Sequence, residues 1–216
     1  MSILAHGLRA TAGNTSGGGV ETSLSYQDFD SFDGTATTSR TFSGMAFGDE
    51  DINRYVVVGV HTFDSTSGIN VTSVTIGGET ATALIKSTAN VLTTTSLWIA
   101  QPTGTSGDIV MSCSGTNTTW GASTWSLITS NSTPASTGQQ AGASNVSFTD
   151  DYKTASLFIS MGLNDSNPTW NNATKSYGVD TRSGEWASGA IGELINSTGT
   201  VSTNEEIGCA CYATWI

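Results

Sequence analysis

The clearest signal in the hydrophobic pattern is Tyr55-Val56-Val57-Val58-Gly59-Val60-His61-Thr62-Phe63, apolar at successive positions and β-branched. It reads as a strand buried on both faces. Val71-Thr72-Ser73-Val74-Thr75-Ile76 follows, meets Gly77-Gly78 and resumes over residues 79–85. Two β runs joined by paired glycines predict a tight hairpin, because glycine reaches positive φ without steric cost. Over residues 155–163, Leu157, Ile159, Met161 and Leu163 alternate with Ser156, Phe158, Ser160 and Gly162, a period of two. Further strands are expected at residues 34–42, 96–100, 108–113, 120–129, 170–177, 186–195 and 207–216, with a Ser/Thr/Gly/Gln loop over 130–144. No window sustains a helical period. The pattern predicts an all-β fold with minimal helix: an antiparallel two-sheet β-sandwich, jelly-roll-like, of about ten strands. Residues 1–20 read as a flexible N-terminal arm, Gly/Ser/Thr/Asn-rich over 11–19, and residues 21–216 as a single sandwich domain. The arm carries Ile3, Leu4 and Leu8, an apolar tip suited to docking.

Composition sharpens this picture. The chain has 216 residues, of which 35 are Thr, 30 Ser and 25 Gly; only 12% are charged. It lacks the long charged side chains that clothe exposed helices and is rich in sheet and turn formers. A formal charge of −11 excludes nucleic acid as a direct partner, since phosphate contacts need clustered cations. No run of 18 apolar residues exists to cross a bilayer, so no membrane partner is expected. The N-terminus has no charged start before an apolar core, so the expectation is a protein made in the cytoplasm, or leaving it by a route that needs no secretory signal. Six tryptophans fall in or beside predicted strands and suit a packed core. Cys209 and Cys211 fall on one strand face with Ala213 and Trp215, as small buried hydrophobes.

Catalytic signatures do not emerge. The chain has no GxSxG elbow, HExxH, P-loop or GxGxxG, and its two histidines are His6 and His61, the latter inside the apolar strand. Acids cluster at strand boundaries, and Glu185 and Glu193 lie on or next to a predicted strand. A non-enzyme without cofactor is therefore expected. Asp28, Asp30 and Asp33 alternate as Ca²⁺ ligands do but lack the loop glycine and bidentate Glu, so a solvated acidic loop is the preferred reading. Asp49-Glu50-Asp51 is a second such run. Trp170, Tyr177 and Trp186 are the candidates for stacking on a surface glycan from strand-edge loops.

Val71 to Gly78, then Leu97-Trp98-Ile99, then Gln101-Pro102-Thr103-Gly104-Thr105-Ser106-Gly107-Asp108-Ile109-Val110, resemble a β-sandwich module that recurs in tailed-phage virion proteins and in bacterial surface proteins. Trp125-Ser126-Leu127-Ile128 and residues 209–216 are similar to its remaining core strands. The resemblance spans residues 55–216 and implies a non-catalytic structural protein of a bacteriophage particle. Its implied place is the capsid exterior, as a head decoration (cement) protein that contacts the major capsid protein, other virion proteins or sibling copies, trimers being common in such roles. The alternative it implies is a carbohydrate-binding or host-adhesion module on the tail or virion surface.

Overall fold

The computed structural model describes residues 20–63, 69–87, 92–143, 145–163, 167–182, 184–204 and 206–216. The docking-arm residues Ile3, Leu4 and Leu8 lie outside the described residues. Among the described residues there is no helix, and fifteen strands pair antiparallel throughout. In chain order they are β1 (Ser23–Ala46), β2 (Arg54–Phe63), β3 (Val71–Ile76), β4 (Glu79–Thr80), β5 (Thr82–Lys86), β6 (Thr93–Ala100), β7 (Ser106–Ile128) and β8 (Ser136–Ala143). After them come β9 (Ser147–Tyr152), β10 (Ala155–Leu163), β11 (Trp170–Asn171), β12 (Ala173–Arg182), β13 (Glu185–Gly192), β14 (Ser197–Thr203) and β15 (Glu206–Trp215).

The first sheet runs β4-β3-β7-β2-β6-β5, with β1 also paired to β7. The 23-residue β7 is its spine. Its first half pairs with β3, from Val71↔Cys113 to Ile76↔Ile109, and its second with β2, from Arg54↔Ile128 to Phe63↔Thr119. Only Ala81 separates β4 from β5, so the sheet rolls up and nearly closes. Inside the roll lie Val56, Val58, Val60, Trp98, Ile109, Met111 and Trp120, with Phe42, Met45 and Phe47 packed among them. The outer face of the roll (Val57, Leu97, Ile99, Trp125, Leu127) packs on Leu157, Ile159, Ala187, Cys211, Ala213 and Trp215. Those residues belong to a second sheet, β12-β13-β10-β15-β8. Its far face (Phe158, Ala190, Ala210, Tyr212) packs against Phe148, Tyr152 and Val201 of a third sheet, β11-β14-β9.

This layering accounts for the apolar-on-both-faces pattern: β2 and β10 are walls shared by two cores. Each fully buried Val or Leu contributes about 1.5–3 kcal/mol, so a wall strand stabilises two layers at once. The expectation of two sheets and about ten strands is corrected to three sheets and fifteen strands. The Gly77-Gly78 hairpin is present, with Ile76 opposite Glu79 and φ of 58° and 88° at the glycines, the two positive values a primed turn requires. The expected strand at 170–177 splits at Asn172, whose φ of 57° lets the chain leave the third sheet and enter the second. The expected loop over 130–144 contains β8, an edge strand on β15. Gly138 fits there because a Cβ would come within 2.4 Å of the Tyr212 ring.

Candidate functional site

Where the roll meets the second sheet, a chain of polar groups crosses the core. Tyr177 Oη lies 2.7 Å from His61 Nε2 and donates to Ser123 Oγ at 3.0 Å; Ser123 in turn donates to the Gly59 carbonyl at 3.2 Å. A phenol has one proton to give, so this sequence of donors assigns the ring proton to Nε2. His61 is fully buried, and burial drives its pKa down to about 3 against the opposing Ser160 backbone. It stays neutral at any ordinary pH and serves neither as a general base nor as a charge switch. Tyr177 stacks on Phe29 with centroids 4.6 Å apart and is buried. Its expected role as an exposed glycan contact is therefore corrected: the hydroxyl belongs to the interior chain.

The other glycan candidates are half-buried. Trp170 donates its indole N–H to Ser188 Oγ at 3.2 Å and packs beside Phe158; Trp186 sits on β13. Neither lines any of the described clefts.

The acids resolve into distinct roles. Asp28, Asp30 and Asp33 belong to β1, not to a loop, and strand alternation places Asp33 on the face opposite the other two. Asp28 Oδ1 accepts from the Phe29 N–H at 2.9 Å and Asp30 Oδ1 from the Ser31 N–H at 2.8 Å, while Asp28 Oδ2 accepts from the Ala46 N–H at 3.2 Å. These carboxylates cap backbone donors of a strand that pairs with β7 alone. Among the described residues no group of three or more His, Cys, Asp or Glu side chains is placed to hold a metal ion. Asp49-Glu50-Asp51 forms a turn gathered by Arg54, which is buried and donates to the Gly48, Asp49 and Pro102 carbonyls. Beside it lie two shallow clefts of about 460 and 380 Å³, and the exposed Ile52.

Two carboxylates are strongly tuned. Glu185 is buried at the seam between the roll and the second sheet, and Thr119 Oγ1 lies 3.4 Å from it and 3.2 Å from Asp33. Burial, partly offset by Arg182 and reinforced by Asp33, raises its pKa to about 7. Asp150 goes the other way. Burial pushes it up, but hydrogen bonds from Ser136, Tyr212 and the Asp151 N–H, with Lys153 nearby, outweigh that and hold it below its ordinary value. The two lie in separate places, one at the seam and one on β9, and do not form a facing pair of the kind glycoside hydrolysis needs. Cys113, Cys209 and Cys211 are buried, the last two as the strand pattern anticipates.

The largest described cleft, about 520 Å³, opens where the β4–β5 run, the end of β6 and residues 132–134 meet. Its floor is Tyr55, Leu84, Ile99, Ala83 and Pro134; its rim is Glu79, Thr80, Thr82, Gln101, Ser132 and Thr133. None of these was singled out by sequence reasoning. Several of them fall on the short run Glu79–Leu84 that follows the Gly-Gly turn and spans the break between β4 and β5. Compared with protein-family models, with curated proteins and with solved structures, the chain matches none.

Proposed function

We propose that the protein is a non-catalytic structural component of a tailed-phage particle, held on the capsid exterior as a decoration (cement) protein. The observation that carries this reading is the edge of β1. This 24-residue strand pairs with β7 alone, and its ends are guarded: Asp28 and Asp30 cap N–H groups near one end, and Asp108 and Asp28 cap Gly44 and Ala46 at the other. Between them, residues 34–36, 38, 39 and 41 are exposed and uncharged. This exposed stretch, where the register with β7 shifts twice between Asp33 and Ser39 and Arg40 folds over the Phe32 ring, leaves main-chain groups for strand addition by a neighbouring subunit. The His61–Tyr177–Ser123 chain, by contrast, lies in the interior and ends on the Gly59 carbonyl.

In this role the protein clamps neighbouring capsid subunits or sibling copies, and the particle gains stability from interface area and main-chain hydrogen bonds. Imaging of purified particles is expected to place it on the head exterior. Particles lacking it should release their genome at a lower temperature. Ala36→Lys with Thr38→Lys, which charges the open edge without touching a core, should leave the protein folded but detached. Equal particle stability with and without the protein, or its absence from purified particles, overturns the reading.

A further inference from the structure

We infer that the cleft between the β4–β5 run and residues 132–134 is a saccharide-binding site for a neutral or amino sugar. This goes beyond a structural role and stands whether or not the protein rides on a capsid.

A pyranose ring has an apolar C–H face and an equatorial girdle of hydroxyls that both donate and accept. The cleft presents the matching halves. Tyr55, Leu84, Ile99 and Pro134 give an apolar floor, and Glu79, Thr80, Thr82, Gln101 and Thr133 surround it with short polar groups. A volume of about 520 Å³ lies within the range of small-molecule sites.

Part of the polar rim is unengaged. The Tyr55 hydroxyl, the Glu79 carboxylate and the Thr80 and Thr82 hydroxyls make no side-chain hydrogen bond to any described residue. The wall opposite them is fixed. Trp215 Nε1–H donates to the Ser132 carbonyl at 3.1 Å, the Thr133 N–H donates to Asn131 Oδ1 at 3.0 Å, and Thr129 Oγ1 bonds the Asn131 backbone. Gln101 is pinned through Nε2, which donates to the Ile52 carbonyl at 2.7 Å, and keeps Oε1 as an acceptor. A preformed wall lowers the ordering cost of binding.

Charge sets the sugar class. The lining holds one carboxylate and no cation, on a chain of net charge −11. Phosphorylated and uronic sugars are repelled, whereas neutral hydroxyls and ammonium groups find an acceptor in Glu79.

The test uses the full-length protein and NMR titration with maltose, N-acetylglucosamine, glucosamine and glucuronic acid. Saturable shifts should map to residues 79–84, 100–101 and 132–134, with a dissociation constant of about 1 mM for the best sugar. Glucosamine should bind at least as well as the neutral sugars, and glucuronic acid more weakly than any. Glu79→Gln should weaken binding about tenfold and erase the preference for glucosamine, and Thr82→Val should weaken it by less. Both positions are exposed, so the fold is retained and an unchanged melting curve verifies it. No saturable shift with any of the four sugars overturns the site, as does saturation with shifts that map elsewhere or survive Glu79→Gln unchanged.

Discussion

His61 and Glu185 sit on the same seam, one in the middle of the contact between the roll and the second sheet and one nearer its rim. Burial acts on both in the same sense, favouring the uncharged form. The consequences have opposite sign because one group is a base and the other an acid. The neutral imidazole is bonded by Tyr177 at Nε2, and its burial weighs most when acid charges the unfolded chain. The carboxyl of Glu185 shares one hydroxyl with Asp33 and meets that second acid across it, so its charge is resisted well into the neutral range. What separates them from Asp150, whose carboxylate is favoured, is the number of donors. Asp150 collects three hydrogen bonds, enough to outweigh its burial.

This comparison can be broken first at His61. Its folded value near 3 lies below the unfolded 6.5, so the unfolded chain binds the proton and stability rises with pH across that window. His61→Gln should remove as much as about 5 kcal/mol of that pH dependence, read from denaturant titrations at stepped pH. A variant that keeps the wild-type slope would show the imidazole is not its source. Tyr177→Phe keeps the stack on Phe29 while deleting the hydroxyl between His61 and Ser123, and should cost about 2 kcal/mol at neutral pH.

Glu185 has the reverse slope. Its folded value near 7 exceeds the unfolded 4.5, so its contribution is intact below the lower value and is lost as pH rises through the upper. Glu185→Gln should therefore gain about 2 kcal/mol at about pH 8 and nothing at about pH 4; a gain equal at both would point to packing instead of charge. Smallest is Asp150→Asn, expected to cost about 1 kcal/mol. Because its folded value is lowered, the difference should vanish as pH falls through that value.

The sequence makes the wall strands legible, since β2, β10 and β15 carry apolar side chains toward two cores and their patterns are long and dense. The third sheet is nearly silent. β9 contributes only Phe148 and Tyr152 to its core and β14 only Val201 among apolar residues, each surrounded by Ser, Thr and Asp. β8 is hidden for a related reason: an edge strand with Gly138 under the Tyr212 ring needs no apolar side chain of its own. The acidic run at 28–33 reads as a loop because alternation of Asp with Phe resembles ligand spacing, and only its pairing to β7 reveals the edge. The burial of Tyr177 is equally invisible in one dimension, because Phe29 and His61, which enclose it, come from distant segments. The cleft beside residues 132–134 escapes notice since most of its rim is Thr and Ser, which are everywhere in this chain.

The central place of β7 has a consequence for synthesis. β1 takes its backbone partner, and β2 and β3 each one of their two, from residues 106–128. As the chain leaves the ribosome, these three early strands wait for a template that emerges only after about half the polypeptide has been made. Until then one edge of each stays in view of chaperones and of other nascent copies, and the arrival of one late segment completes the pairing of all three.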